Sequence, residues 1–519
     1  MQQLSSRLAR YAPHALIVAI VGYILCFSLL SSIKLAALRQ GFDMAGNEQV
    51  IWNTLHGRFF QTSVFALMEH DFDDGPVLLQ LPLALLYGIY QSPYTLMVLQ
   101  SAALGLAALP LYLLCRDLLG GPWPGLAFAL IYLIHPTTQH INMYEFQLRS
   151  FMIPFALAAL LFLRRAKLWP YLLFLFLMLC TKTEAGFTLM AFGGYALLLR
   201  RPWPFVLVPL LVGPAWVAFA LGVIVPRFSS GDFITSIYNY GELGDSVGAV
   251  IINVLTNPLL LLKAISLPAK LAYVGQLLGL QGFLALLSPI SILALPVLGI
   301  NLIAPETNRV QFSLYYQYGA LVFPFLIVGA ADGLQRLAGW VSRSEQRRAQ
   351  LIGIGCALLL VGAVYANLIL GNVVKNLVGN REPAGRVADA QAVIAQVPND
   401  AALAASTFLA PHLAQREQLY FFPGNNSYPA KKIALADYLI ADTRPGGERP
   451  SADQQKERAA LQEYMTNPEW VLVAQSGDFV LLRRVNYSGV QHYCPPHPSP
   501  LPAGEGAKCP SPAHGRGLG

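Results

Sequence analysis

Apolar runs of roughly 15–25 residues recur through most of the chain up to Leu370, and the polar loops between them are short. Runs of that length match the ~30 Å hydrocarbon layer a helix must cross. Of the 519 residues, 12% are charged and 55% are hydrophobic, with mean hydropathy +0.49. A soluble domain carries about 25% charge. The chain therefore reads as a mainly α polytopic membrane helix bundle. Leu16–Leu38 is too long for a signal-peptide core and has no small-residue cleavage site before the next polar segment, so it reads as a retained span.

Spans are expected near 14–36, 93–115, 122–138, 151–165, 168–181, 186–199, 203–225, 271–288, 289–304, 313–332 and 351–371, about eleven in all. Pro76–Tyr90 is apolar but brief, either a span or a helix dipping into the interface. Val247–Leu267 carries Asn253, Asn257 and Lys263 and reads as interfacial. If Pro76–Tyr90 does not cross, Arg7, Arg10, Arg116, Arg164, Arg165, Lys167, Arg200, Arg201 and the Arg336–Arg348 stretch share one side. The positive-inside tendency makes that side cytoplasmic, N-terminus included. The formal net charge of +7 is then a topology signal and not a nucleic-acid footprint.

The chain divides into a transmembrane region at 1–371, an extracytoplasmic α/β domain at 372–486 and a tail at 487–519. In the middle region Val387–Val397 looks like an amphipathic helix. Ala401–Thr407, Leu419–Phe422, Tyr438–Asp442, Trp470–Gln475 and Phe479–Arg484 read as strands. The tail, rich in proline and glycine, cannot build a core and is expected to be disordered. Cys26, Cys115, Cys180 and Cys356 lie in apolar segments and behave as small hydrophobes. No cysteine and histidine spacing suggests zinc.

A charge at the edge of a membrane bundle is costly unless paired or solvated, which makes it a candidate for function. Asp43 follows the first span. It is either a base that takes a proton from an acceptor hydroxyl or a cap for the helix it begins. Glu69-His70-Asp71-Phe72-Asp73-Asp74 could hold a divalent cation through carboxylates, or be a solvated loop before Pro76; His70 could meet a phosphate. Glu145 and Arg149 sit at i, i+4, so a simple ion pair is the plain alternative to a substrate role. Lys182 and Glu184 have almost no loop around them: either they form a buried pair, or Lys182 meets a lipid phosphate while Glu184 orients sugar hydroxyls. Arg309, after Glu306, can clamp phosphate through its planar guanidinium.

Several stretches together resemble a known family. They are Phe42-Asp43 with Gln49 and Trp52, His70 near Pro76, Ser92-Pro93 with Gln100, Pro110-Leu111-Tyr112 with Arg116, Tyr144-Glu145-Phe146, Lys182-Thr183-Glu184, and Tyr315-Tyr316 with Pro324. The C-terminal domain adds Ser406, Pro411-His412-Leu413 with Arg416, Tyr420, Phe422-Pro423, Ala436-Asp437-Tyr438 and Asp442. Over roughly residues 15–485 the chain resembles an uncharacterised family of predicted bacterial and archaeal membrane proteins grouped with the GT-C glycosyltransferases. Two departures stand out: Gln147 replaces a family histidine, and Lys182-Thr183-Glu184-Ala185 lacks a final acid.

The resemblance implies an inner-membrane enzyme of the cell envelope. Its donor would be a polyprenyl-phosphate-linked sugar whose lipid lies among the helices, with its phosphate at the outer interface; membrane lipids surround the bundle, and the acceptor would be a glycan, lipid or protein outside the cytoplasm. Asp43 would be the base, and Glu145 is a second catalytic candidate. Lys182, Arg149 or Arg309 would stabilise the departing phosphate. Enzymes of this class differ in whether they use a divalent metal, and the sequence leaves that open. A transporter or flippase of a lipid-linked or polar substrate is the alternative, as is a non-catalytic scaffold or sensor.

Overall fold

Proline starts many of the helices, because its fixed φ suits the first turn and its missing N–H would be unpaired there anyway. The computed structural model describes residues 10–65, 70–72, 75–228, 240, 243–244, 247–370, 373–374, 382–424, 430–445 and 451–485. The helices that position the candidate site are α1 (Ala12–Ala36), α2 (Phe42–Leu55), α3 (Gln80–Tyr87), α4 (Pro93–Leu106), α5 (Ala108–Leu119), α6 (Pro122–Ile134), α7 (Pro136–Tyr144), α8 (Arg149–Arg164), α9 (Leu168–Leu179), α10 (Ala185–Leu198) and α11 (Trp203–Phe219). Shorter helical pieces lead to α12 (Phe323–Val341) and α13 (Glu345–Ile369). Local chemistry sets several boundaries. The Ser92 hydroxyl accepts from Tyr94 N–H at the start of α4, and Gly120 ends α5 in the left-handed region at φ 72°.

Helix α1 shows why the bundle needs lipid. Leu16, Ile20, Tyr23 and Phe27 are buried against the other helices, while Val18 and Leu25 on the opposite face are 72% and 66% exposed. Such a face is stable only against hydrocarbon. Where helices meet closely, glycine makes the room: a side chain at Gly213 of α11 would lie 2.7 Å from the Gly186 carbonyl of α10.

Among the described residues, four helices are long and apolar enough to cross a bilayer: Ala12–Ala36, Pro93–Leu119, Trp203–Phe228 and Glu345–Ile369. A fifth crossing is reached only if Gly248–Val254 and Pro258–Ile265, bent by 101°, count as one. The other expected spans are shorter. Helix α6, at 13 residues, is about 20 Å long. The span expected at 313–332 begins as turns with a short 3₁₀ piece at Gln317–Gly319 and becomes α-helix only at Phe323. The pair expected at 271–288 and 289–304 is broken into α and 3₁₀ pieces around Ser288. Within Pro76–Tyr90 only the eight residues of α3 are helical, too few to cross.

All five expected strands form. Strands β1 (Leu403–Ser406), β2 (Leu419–Phe422), β3 (Tyr438–Asp442), β4 (Trp470–Ser476) and β5 (Phe479–Arg484) make one mixed sheet in the order β2-β1-β3-β5-β4. β1 runs parallel to both β2 and β3, and the β3-β5-β4 side is antiparallel. Helices α14 (Ala384–Ile394) and α15 (Ala452–Thr466) accompany the sheet, α15 starting with a Ser451/Gln454 capping box. The expectation for 487–519 lies outside the described residues.

The sheet is seated on α2. Leu38, Ala45 and Val64 share an apolar cluster with Leu403, Leu413 and Leu419. Phe42 meets Phe421 edge-on at 5.0 Å. Gln49 is the polar pin. Its amide donates to the Arg416 and Glu417 carbonyls at 3.1 and 3.2 Å, and its oxygen accepts from Ser63 N–H at 2.9 Å. A buried amide satisfied on both ends fixes one docking geometry.

Candidate active site at the start of helix α2

The first turn of α2 leaves backbone N–H groups without helical partners. Asp43 does not cap them. Glu145, on the link between α7 and α8, reaches across and accepts from Met44 N–H at 2.9 Å. The second Glu145 oxygen lies against Gly41, where a side chain would come within 2.7 Å of it. Lys34, in the last turn of α1, donates to the Met143 carbonyl at 2.7 Å and to the Tyr144 carbonyl, which holds the Glu145 link close to α1.

With its helix capped by another residue, the Asp43 carboxyl faces its surroundings. Gln147 donates to it at 2.7 Å. Asn47, one turn on, donates to the Asp43 carbonyl at 2.8 Å instead of the carboxylate. Burial pushes the Asp43 carboxyl above its ordinary value of 3.8, and the charges of Lys182 and Arg149 together with the Gln147 bond pull it partly back. Burial, then the charge of Asp43, push Glu145 to about 7, with Lys34 opposing. Two neighbouring carboxyls titrate as a pair, the second proton leaving reluctantly.

Arg149 pairs with Glu184, correcting the expected i, i+4 partnership with Glu145. The bond is bidentate, at 2.7 and 2.9 Å, and both side chains are largely buried. The guanidinium also lies over the Tyr318 ring, 4.9 Å from its centre. Glu184 and Lys182 belong to the turn between α9 and α10. That turn is held against the chain before α3: Leu79 N–H donates to the Cys180 carbonyl at 2.9 Å. Gly75, at φ +93°, leaves room for no side chain, since a Cβ there would lie 2.0 Å from the Thr183 hydroxyl.

The structure thus brings Asp43, Glu145, Arg149, Lys182 and Glu184 into one electrostatic neighbourhood. His70 and Arg309 have other surroundings. His70 forms a bridge with Gln61, and its ring packs on Phe72 and Phe228. Arg309 is exposed and pairs with Glu306 at 2.7 Å. Asp71 is buried and accepts from Gln80, while Glu69, Asp73 and Asp74 lie outside the described residues. Among the described residues, no three His, Cys, Asp or Glu side chains converge as metal ligands would.

Sequence reasoning missed Lys34 and understated Gln147. Lys34 carried a signal, a lone cation in the last turn of an apolar helix nine positions before Asp43. Gln147 had been read only as a lost histidine, yet its N–H does for Asp43 what an imidazole N–H could do. Gly41 gave no signal, because the space it leaves is filled by a residue distant in sequence.

The chain resembles two crystal structures of ArnT from Cupriavidus metallidurans, one bound to undecaprenyl phosphate and one in the apo state. The first is 11% identical with TM-score 0.50, covering 92% of this chain and 99% of that one. The second is 11% identical with TM-score 0.46, covering 89% and 98%. The first likeness shows the fold, which this chain shares with ArnT. No curated protein matches by sequence. Residues 34–481 match the family described as predicted membrane protein (DUF2079), and the chain belongs to that family.

Proposed function

We propose that this protein is a membrane glycosyltransferase that moves a sugar from a polyprenyl-phosphate-linked donor to an extracytoplasmic acceptor, a glycan, lipid or protein, with Asp43 as base. One observation carries the reading. Asp43 is a half-buried carboxyl, held by Gln147 and biased by the charges of Lys182 and Arg149, on a fold whose ArnT example binds undecaprenyl phosphate. A carboxyl raised toward neutrality is suited to general-base work, and cations beside it suit an anionic leaving group.

In this mechanism the acceptor hydroxyl gives its proton to Asp43 as its oxygen bonds to the anomeric carbon. The bond from that carbon to the phosphate oxygen breaks with inversion, and the phosphate keeps the electron pair. Lys182 and Arg149 stabilise the charge that develops there. Glu184 fixes the plane of the Arg149 guanidinium. Glu145 caps α2 and shares the proton balance with Asp43. His70, packed on Phe72 and Phe228, and Arg309, paired with Glu306, take no part in this step. The topology that goes with it has a cytoplasmic N-terminus and a bundle to residue 371 in which the shorter apolar helices complete about eleven crossings. The 372–486 domain then lies outside the cytoplasm.

The test uses purified full-length protein in lipid nanodiscs with a panel of polyprenyl-phosphate sugars and candidate acceptors, with and without EDTA. Mass spectrometry follows free polyprenyl phosphate and glycosylated product. Both should rise together. Movement of a labelled lipid-linked sugar across vesicles with no new glycosidic bond would establish a flippase instead, and neither signal with any donor would leave a scaffold. Loss of turnover with EDTA would add a divalent ion to the site.

A further inference from the structure

A cavity of about 660 Å³ lies between α2, the start of α4 and the segment of the C-terminal domain from Ile394 to Arg416. That is within the roughly 300–1,000 Å³ of small-molecule sites. Glu48, which is 0% exposed, borders it. One Glu48 oxygen accepts from Tyr87 O–H at 2.6 Å and Gln415 N–H at 3.2 Å. The other is buried with no hydrogen-bond partner among the described residues. A second buried atom in the wall is in the same state: His412 Nε2 has no partner, while the His412 ring bonds to the Leu35 backbone. Buried polar atoms are rarely left unpaired, so two such atoms just behind the cavity wall point to a partner that they meet when a ligand enters and the side chains turn toward it.

The surroundings narrow the chemistry. His412 is kept neutral by burial, and its free nitrogen is then an acceptor if the other nitrogen donates to Leu35. Burial also pushes Glu48 to about 7, so near neutrality its carboxyl can both accept and donate. Trp52 and Tyr94 add aromatic surface to the same walls. Acceptors, a group that donates as well, and flat apolar rings together match a ring bearing several hydroxyls. The wall is also rigid. Arg416 spends its guanidinium on the carbonyls of Leu413 (2.7 Å), Pro398 (3.1 Å) and Ala401 (3.1 Å).

We propose that this cavity is a saccharide-binding site, formed jointly by α2 and the C-terminal domain and separate from the Asp43 site. Glu48 and His412 bond the ring hydroxyls, and Trp52 stacks on the ring's C–H face. Under the transferase reading the occupant is part of the acceptor glycan, held in place while another part reacts. The binding itself does not depend on that reading.

The experiment is saturation-transfer NMR on the full-length protein in nanodiscs, without donor lipid. The probes are glucose, N-acetylglucosamine and mannose at millimolar concentration, with ethanolamine as an ammonium control. At least one sugar should bind. His412→Leu, Trp52→Leu and Glu48→Gln should each weaken it at least fivefold, in variants whose thermal unfolding remains cooperative. Asp43→Asn should bind as the wild type does, so a failure of the transfer reaction leaves this result readable. The proposal is overturned if none of the sugars binds, if every folded variant binds them like the wild type, or if ethanolamine binds and the sugars do not.

Discussion

Asp43 and Glu48 stand five residues apart on one helix, which turns them about 140° from each other around its axis. Their surroundings differ in kind. Asp43 is half-buried beside two cations and is bonded by an amide from the α7–α8 link. Glu48 is fully buried, and its recorded partners are a phenol and an amide. Both carboxyls are raised by burial, but only Asp43 has positive charge pulling it back. In the proposed reading, the Asp43 face of α2 tolerates a second negative charge nearby and the Glu48 face exchanges hydrogen bonds with neutral groups. A single short helix would then present an anion site and a polyol site without the two interfering.

The largest expected disruption of this contrast comes from Arg149→Ala. It leaves Glu184 buried and uncompensated, which costs about 3–5 kcal/mol of stability, and removes one of the two cations near Asp43. Thermal unfolding should drop sharply and sugar transfer should fall by at least a hundredfold. Adding Glu184→Gln should recover much of the stability but not the transfer. Recovery of both would mean that the pair is only structural.

Gly41→Ala should act less severely and only on the Asp43 side. The new methyl group meets the Glu145 oxygen, so Glu145 must move from its cap on Met44. Transfer is expected to fall about ten- to a hundredfold, as for loss of one well-placed hydrogen bond to a charged group. The acid limb of the pH–rate profile should shift, while saccharide binding in the Glu48 cavity stays unchanged. An unaltered pH profile would remove Glu145 from the proton balance.

Glu48→Gln should have the smallest effect on transfer chemistry and show itself in stability. The folded pKa of about 7 lies above the ordinary 4.5, so the stability linked to Glu48 is full below pH 4.5 and is lost as pH rises through 7. Above pH 7 the loss is on the order of 3 kcal/mol. Unfolding measured from pH 4.5 to 8 should be less pH-dependent in the variant, which should be the more stable protein at pH 8. A slope equal to that of the wild type would show that Glu48 is ionised without cost.

The contrast also marks what the sequence could and could not reveal. The strands were legible because alternating or continuous apolar runs of four to seven residues between turn residues leave few other choices, and all five formed near their expected positions. Helix existence was legible in the same way, but which expected spans form one unbroken helix of bilayer length was not. Hydropathy cannot tell a 13-residue helix from a longer one in a continuous apolar run, and proline and serine at positions such as Ser288-Pro289 break runs that look continuous. Asp43 was visible because an acid after a first span is costly. Its partners were not, since Arg149 had a nearer candidate in Glu145 and chose Glu184, 35 positions away. Glu48, five residues on from Asp43, falls on the far side of α2 by helical geometry alone. Its cavity needed the C-terminal domain, which reaches α2 from more than 340 positions further along the chain.

The most direct measurement is the rate of polyprenyl phosphate release from a lipid-linked sugar by wild-type protein and by Asp43→Asn, at one pH and with matched donor binding. The account predicts measurable release by the wild type and at least a thousandfold less by a variant that folds and binds donor equally well. Release at the wild-type rate from Asp43→Asn would contradict it.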